Sequence, residues 1–193
     1  MRADAWDASL LTLPEHQCKP HPVAYGFRGP SNMRIQQEVD RQTQRVVKIT
    51  IYIQWMQQYR EIWMDGRPHP PEYAPHTWQG FSTGRWEGDT LVVDITNYSG
   101  QGMIATSAAT GRIRGVPESA DLHVVERFTR TGPETIKYEV TIEDPKAYTK
   151  PWKVSIPLEK QSDYTLYEYA CHEGNIALAD ILRGGRLADA ASH

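Results

Sequence analysis

The most constraining feature of the chain is a run of strict alternation. From Arg45 to Trp55, the residues Val47, Ile49, Ile51, Ile53 and Trp55 fall on one side and Lys48, Thr50, Tyr52 and Gln54 on the other. A period of two sends successive side chains to opposite faces of a strand, whereas a helix would scatter the isoleucines round its axis. The segment therefore predicts a half-buried strand, which needs neighbouring strands and a core on one side only.

Shorter runs of the same kind predict strands at 59–64, 80–86, 90–97, 122–130, 134–143, 152–159 and 164–171. Turn signals separate several of them, at Asp65-Gly66, Glu87-Gly88-Asp89 and Thr131-Gly132-Pro133, where glycine supplies positive φ without a Cβ clash. About eight short strands with hairpin spacing and no interleaved helices predict an all-β fold. The expected form is an antiparallel meander closing into a lipocalin- or calycin-like barrel, since closure removes exposed edges.

Residues 1–32 show little periodicity and contain Pro14, Pro20, Pro22 and Pro30, so they read as an extended N-terminal arm. Residues 33–186 form the barrel domain. Within it a short C-terminal helix is expected from an Asn175 cap through Ile176, Ala179 and Leu182 to a Gly184-Gly185 stop, leaving 187–193 as a frayed tail. A chain of 193 residues accommodates one sizeable core.

Charge narrows the partners. Lys and Arg number 21 against 24 Asp and Glu, so no cationic excess is present to neutralise phosphates or anionic lipid. Neither nucleic acid nor a membrane surface is an expected partner; a small-molecule ligand is, and self-association stays open. Apolar stretches fall well short of the roughly 20 residues that span a bilayer, and Met1-Arg2-Ala3-Asp4 does not read as a leader. Six Trp and ten Tyr against three Phe favour rings with a polar handle, which line ligand cavities as readily as cores.

Four groups of residues could carry chemistry. The segment Glu15-His16-Gln17-Cys18-Lys19-Pro20-His21 offers imidazole and thiolate donors. Its prolines make successive side chains diverge, however, and no metal site is assigned. The stretch Asp65-Gly66-Arg67-Pro68-His69-Pro70-Pro71, followed by His76-Thr77-Trp78, places Arg67, His69 and His76 on a stiff loop that could orient an anionic or carbonyl group. In 122–130, Leu122, Val124, Glu126 and Phe128 share the apolar register, which puts the Glu126 carboxylate inside, where burial would favour acid–base work. Glu168 is a second carboxylate of that kind, and either glutamate could instead be neutralised by Arg85 or Arg127. Lastly, Cys18 and Cys171 are either a disulfide or two separate thiols.

Neither Gly80-Phe81-Ser82-Thr83-Gly84 nor Gly111-Arg112-Ile113-Arg114-Gly115 has the strand-to-helix context of a nucleophile elbow or a phosphate loop, and no cofactor is expected. The function these residues predict is proton transfer of lyase, isomerase or cyclase type on a small apolar or aromatic substrate inside the barrel. Glu126, His69, His76 and Tyr98 are the catalytic candidates. Trp63, Arg67, Trp78, Arg85, Trp86, Arg127, Tyr148 and Trp152 are the candidates for binding. A non-catalytic small-molecule binder and a metal-dependent hydrolase are the alternatives.

Several stretches together carry a resemblance. They are Ile62-Trp63-Met64-Asp65-Gly66-Arg67-Pro68-His69-Pro70, the segment from Trp78 to Val93, Glu126-Arg127-Phe128, Asp144-Pro145-Lys146-Ala147-Tyr148-Thr149-Lys150-Pro151-Trp152 and Glu168-Tyr169-Ala170-Cys171. Through them the chain resembles a large, mostly uncharacterised bacterial family of hypothetical proteins, often exported. The resemblance implies a periplasmic or secreted setting and no particular reaction.

Overall fold

The computed structural model describes residues 18, 20–27, 29, 32–106, 115–171, 173, 174 and 176–191. The chain opens with a short helix, α1 (Val23–Gly26), and continues through β1 (Met33–Val39), β2 (Val46–Ile53), a 3-10 turn at Trp55–Gln57, β3 (Gln58–Trp63), β4 (Phe81–Glu87) and β5 (Thr90–Thr96). A small hairpin of β6 (Met103–Thr106) and β7 (Gly115–Pro117) follows, then β8 (His123–Arg130), β9 (Thr135–Glu143), β10 (Trp152–Glu159) and α2 (Ala177–Ala191).

Eight strands form one sheet in the order β1-β2-β3-β4-β5-β8-β9-β10. It curls strongly into a half-barrel. Two features depart from the expected closed antiparallel barrel. β1 and β10 remain the edges and do not pair with each other. In addition, β3 and β4 run parallel, Ile62 facing Ser82 and Trp63 facing Thr83. A parallel pair cannot be joined by a tight turn, so residues 64–80 make a long crossover.

The predicted strand at 164–171 is irregular, and Glu168 is exposed on it. Side-chain bonds fix that segment where a ladder would have: Tyr164 donates to Gln54 Oε1 at 2.8 Å, and Gln57 Nε2 donates to the Tyr169 carbonyl at 2.9 Å. Its end is anchored by the Cys18–Cys171 disulfide, with Cα atoms 5.8 Å apart. Of the two readings of the cysteines, the bridge is the one observed.

The described part of the arm is not extended throughout. It includes α1, and Val23 and Phe27 are buried in the core. At the other terminus, α2 runs through Gly184 and Gly185 to Ala191, past the expected stop. Two glycines cost about 1 kcal/mol each in a helix interior, and the Ala- and Leu-rich flanks on both sides offset that penalty.

The alternation in β2 does what it predicts, with Ile49, Ile51 and Ile53 exposed by 4% or less. They pack with Ile62, Val93, Ile95, Val124, Phe128, Tyr138, Val140 and Ile142 from the same face of the sheet. The hairpin between β4 and β5 turns at Gly88, whose φ is +59°. Gly80, at φ +67°, is required more strictly, because a Cβ there would stand 2.7 Å from the Thr96 carbonyl. That close approach seats the end of the crossover against β5.

Candidate functional site

The inner face carries a buried polar cluster around Glu126. Arg60 on β3 donates from Nη1 to Glu126 Oε2 at 2.7 Å, and Tyr138 on β9 donates its hydroxyl to Glu126 Oε1, also at 2.7 Å. Glu126 is 0% exposed. The apolar register of β8 is thus as expected, but the neutralising arginine is Arg60, not Arg85 or Arg127. Those two lie on the opposite face and pair with Glu87, at 2.8 and 3.0 Å. A carboxylate with both oxygens bonded and no exposure is a structural ion pair. Tyr98 is also fully buried, and burial beside Glu126 drives its phenol well above the usual range.

His76 does a structural job at the end of the crossover. Its Nδ1 lies 2.7 Å from the Tyr98 carbonyl and its Nε2 2.9 Å from the Glu72 carbonyl. Two acceptors call for two donors, so the cation is favoured and the pKa is raised, the Glu72 contact contributing most.

His69 is different. The crossover lays it over the outer face, where Thr96 Oγ1 is 3.0 Å from Nδ1 while Thr83 Oγ1 and Asp94 Oδ1 are 3.1 and 3.0 Å from Nε2. The Thr96 hydroxyl donates to Asn97 Oδ1 at 2.8 Å, and Asn97 Nδ2 donates to the Pro71 carbonyl at 3.4 Å. With its one hydrogen used there, Thr96 accepts from His69 Nδ1–H, while Nε2 faces the Asp94 oxygen and the Thr83 hydroxyl.

The same Asp94 oxygen takes a second imidazole. His123 Nε2 on β8 lies 3.1 Å from Asp94 Oδ1, and His123 Nδ1 is 4.0 Å from Glu143. The bond to Asp94 raises the His123 pKa, and the bond from His123 lowers that of Asp94. Two ring nitrogens therefore converge on one carboxylate oxygen that is about 29% exposed on its side chain. Beside them is a groove of about 430 Å³, lined by His69, Glu72, His76, Asn97, Asp121 and His123 among others.

Of the four catalytic candidates, the structure brings His69 and His76 to this groove and places Glu126 and Tyr98 in the core. The binding candidates are dispersed. The Arg67 guanidinium lies 3.7 Å over the Trp63 ring and pairs with Asp65, a packing arrangement on the outer face. Trp86 is 51% exposed near the β4–β5 turn. Tyr148 and Trp152 meet edge to face at 5.5 Å against the core, and Trp78 is half-buried in the turn before β4.

Asp94 and His123 were not among the candidates. Their only signal is membership of the polar registers of β5 and β8, which every wetted strand face shares. His16 lies outside the described residues. His21, 0% exposed, lies between the Tyr25 and Trp55 rings, and the Cys18 sulfur is held in the disulfide. Among the described residues no group of three His, Cys, Asp or Glu side chains is arranged to hold a metal ion, and no helix is long and apolar enough to cross a membrane. Comparison with protein-family models, with curated proteins and with solved structures returns no match.

Proposed function

We propose that the chain is a proton-transfer enzyme of lyase, isomerase or cyclase type, acting on a small polar substrate seated in the outer groove. The observation that carries this reading is the convergence of His69 Nε2 and His123 Nε2 on Asp94 Oδ1 beside that groove. Imidazoles exchange protons near neutral pH, and a shared carboxylate orients both rings and stabilises whichever one is cationic. The two imidazoles that share Asp94 Oδ1 are the groups assigned to pass the proton to and from the substrate. The substrate moves from the barrel interior to the outer face because the interior position of Glu126 is filled by Arg60 and Tyr138. Polar lining by Glu72, Asn97 and Asp121 favours a ligand with hydroxyl, carbonyl or amine groups over an apolar one. The Cys18–Cys171 bridge supports a periplasmic or secreted setting, since such bonds persist in oxidising compartments.

The test is hydrogen–deuterium exchange. A panel of small carbonyl compounds, comprising 2-oxo acids, hydroxyketones and cyclic ketones, is incubated with the protein in D2O and followed by proton NMR. Catalysed exchange next to the carbonyl is expected for at least one class, reduced by about a hundredfold or more in His69→Asn and in His123→Asn. Exchange unaffected by either substitution, or absent across the panel, overturns the reading; saturable binding without exchange would make the groove a binding site alone.

A further inference from the structure

The half-barrel leaves a seam where its two edges face each other. Asn32 Nδ2 donates to Gln161 Oε1 across it at 3.3 Å, and Tyr164 reaches over to Gln54, so one end of the seam is bridged. Inside that end are two adjoining hollows of about 300 and 600 Å³ that share Met33, Leu158, Glu159 and Lys160. Their floor is apolar, formed by Phe27, Met33, Ile35, Ile136, Ile156 and Leu158. Ile35, on the core-facing register opposite Ile51, is nevertheless 40% exposed, because no described residue covers the sheet edge there.

We propose that this seam binds a single-chain fatty acid, with its alkyl chain along the floor and its carboxylate at Arg34 and Lys160. Size fits, since pockets for small ligands run about 300–1,000 Å³. Charge fits as well. Arg34 and Lys160 both line the larger hollow. Lys160 is partly engaged with Glu134 at 3.3 Å, while Arg34 has no carboxylate within 4 Å among the described residues. The seam is poorly suited to a peptide strand. Pro157 in the middle of β10 has no N–H to offer, and β1 has a register shift between Glu38 and Val39. An alkyl chain makes no such demand, because its binding comes from removing apolar area from water. This site is on the inner rim of the sheet and does not depend on the reading of His69, Asp94 and His123.

The experiment titrates delipidated full-length protein with cis-parinaric acid and displaces it with hexadecanoate or hexadecanol. Saturable binding displaced by hexadecanoate is expected. Leu158→Glu, which sets a charge on the apolar floor, should weaken it by about tenfold or more. Arg34→Ala should weaken the acid several-fold and leave the alcohol unchanged. Thermal melts check folding, and if Leu158→Glu fails to fold, Ile35→Glu at the half-open edge tests the floor instead. No saturable binding, unaltered binding in the folded floor variant, or equal effects of Arg34→Ala on acid and alcohol would each overturn the proposal. So would association with phosphatidylglycerol vesicles alone, which would make the seam a membrane contact.

Discussion

Arg60 Nη1 and Glu126 Oε2 stand 2.7 Å apart with side-chain exposures of 5% and 0%, an ion pair enclosed by the half-barrel. Its members come from strands on either side of the β4–β5 hairpin, so it ties the two halves of the sheet together through their common face.

Removing one partner leaves the other charged and buried, which typically costs about 3–5 kcal/mol. Glu126→Gln should therefore destabilise the fold strongly in urea denaturation, and Arg60→Met similarly. The double variant Arg60→Met/Glu126→Leu should recover most of the loss, because two apolar side chains need no counter-charge. A single substitution costing under about 1 kcal/mol would contradict this account of the pair.

The disulfide closes a loop with a sequence separation of 153. Cross-links over long loops restrict the unfolded chain, and removing a native one costs about 2–5 kcal/mol. Cys171→Ser should lower the urea midpoint by a corresponding amount, and denatured, unreduced protein produced under oxidising conditions should show no reactive thiol. Two titratable thiols would rule the bridge out.

Glu118 is 4% exposed, and its carboxylate meets only the Gly102 N–H, at 3.3 Å, among the described residues. Burial pushes its pKa up to about 8 from an ordinary 4.5, with nearby Asp144 adding to the rise and the Gly102 bond opposing it. Between those two values the native state holds a proton that the unfolded chain releases. Stability is fully present below pH 4.5 and is lost as pH rises through about 8. Glu118→Gln should flatten that alkaline limb and raise stability at pH 8, measured by urea denaturation across pH. An unchanged slope would show that Glu118 ionises normally.

The sequence reveals the sheet better than the site, for a physical reason. Burial on one face writes a period of two into Val47–Ile53 and Leu122–Phe128, and the β4–β5 turn writes glycine at Gly88, where φ is positive. β1 leaves no such mark, since as an edge strand it is mostly exposed from Arg34 to Val39. Nor does the parallel pairing of β3 and β4, which depends on where a long crossover lands. The site inherits that blindness. His69 is conspicuous in its proline-rich loop, but Asp94 and His123 become its partners only once β5 and β8 lie side by side beneath the crossover. Glu126 was legible as an inward carboxylate, whereas its partner Arg60 was not, because pairing across two intervening strands is a property of the curl.

The pairing of His123 with Asp94 gives the most direct solution measurement of the site. Asp94 raises the His123 pKa above 6.5, and His123 holds Asp94 below 3.8. For the histidine, the raised value means stabilisation that is present below 6.5 and lost as pH climbs through the folded value. For the aspartate, the depressed value means stabilisation that is present above 3.8 and lost as pH falls through the folded value. The pair therefore stabilises most between pH 3.8 and 6.5. Asp94→Asn keeps the shape and removes the charge. In proton NMR titrations of the imidazole C2–H signals, His123 should then titrate closer to 6.5, and the stability profile should lose its rise across that window. Because the same oxygen also meets His69 Nε2 at 3.0 Å, Asp94→Asn should slow any exchange reaction found in the groove without abolishing ligand binding. A His123 titration unmoved by the substitution would show that the two side chains do not pair in solution, and the convergence on Asp94 would then carry no functional weight.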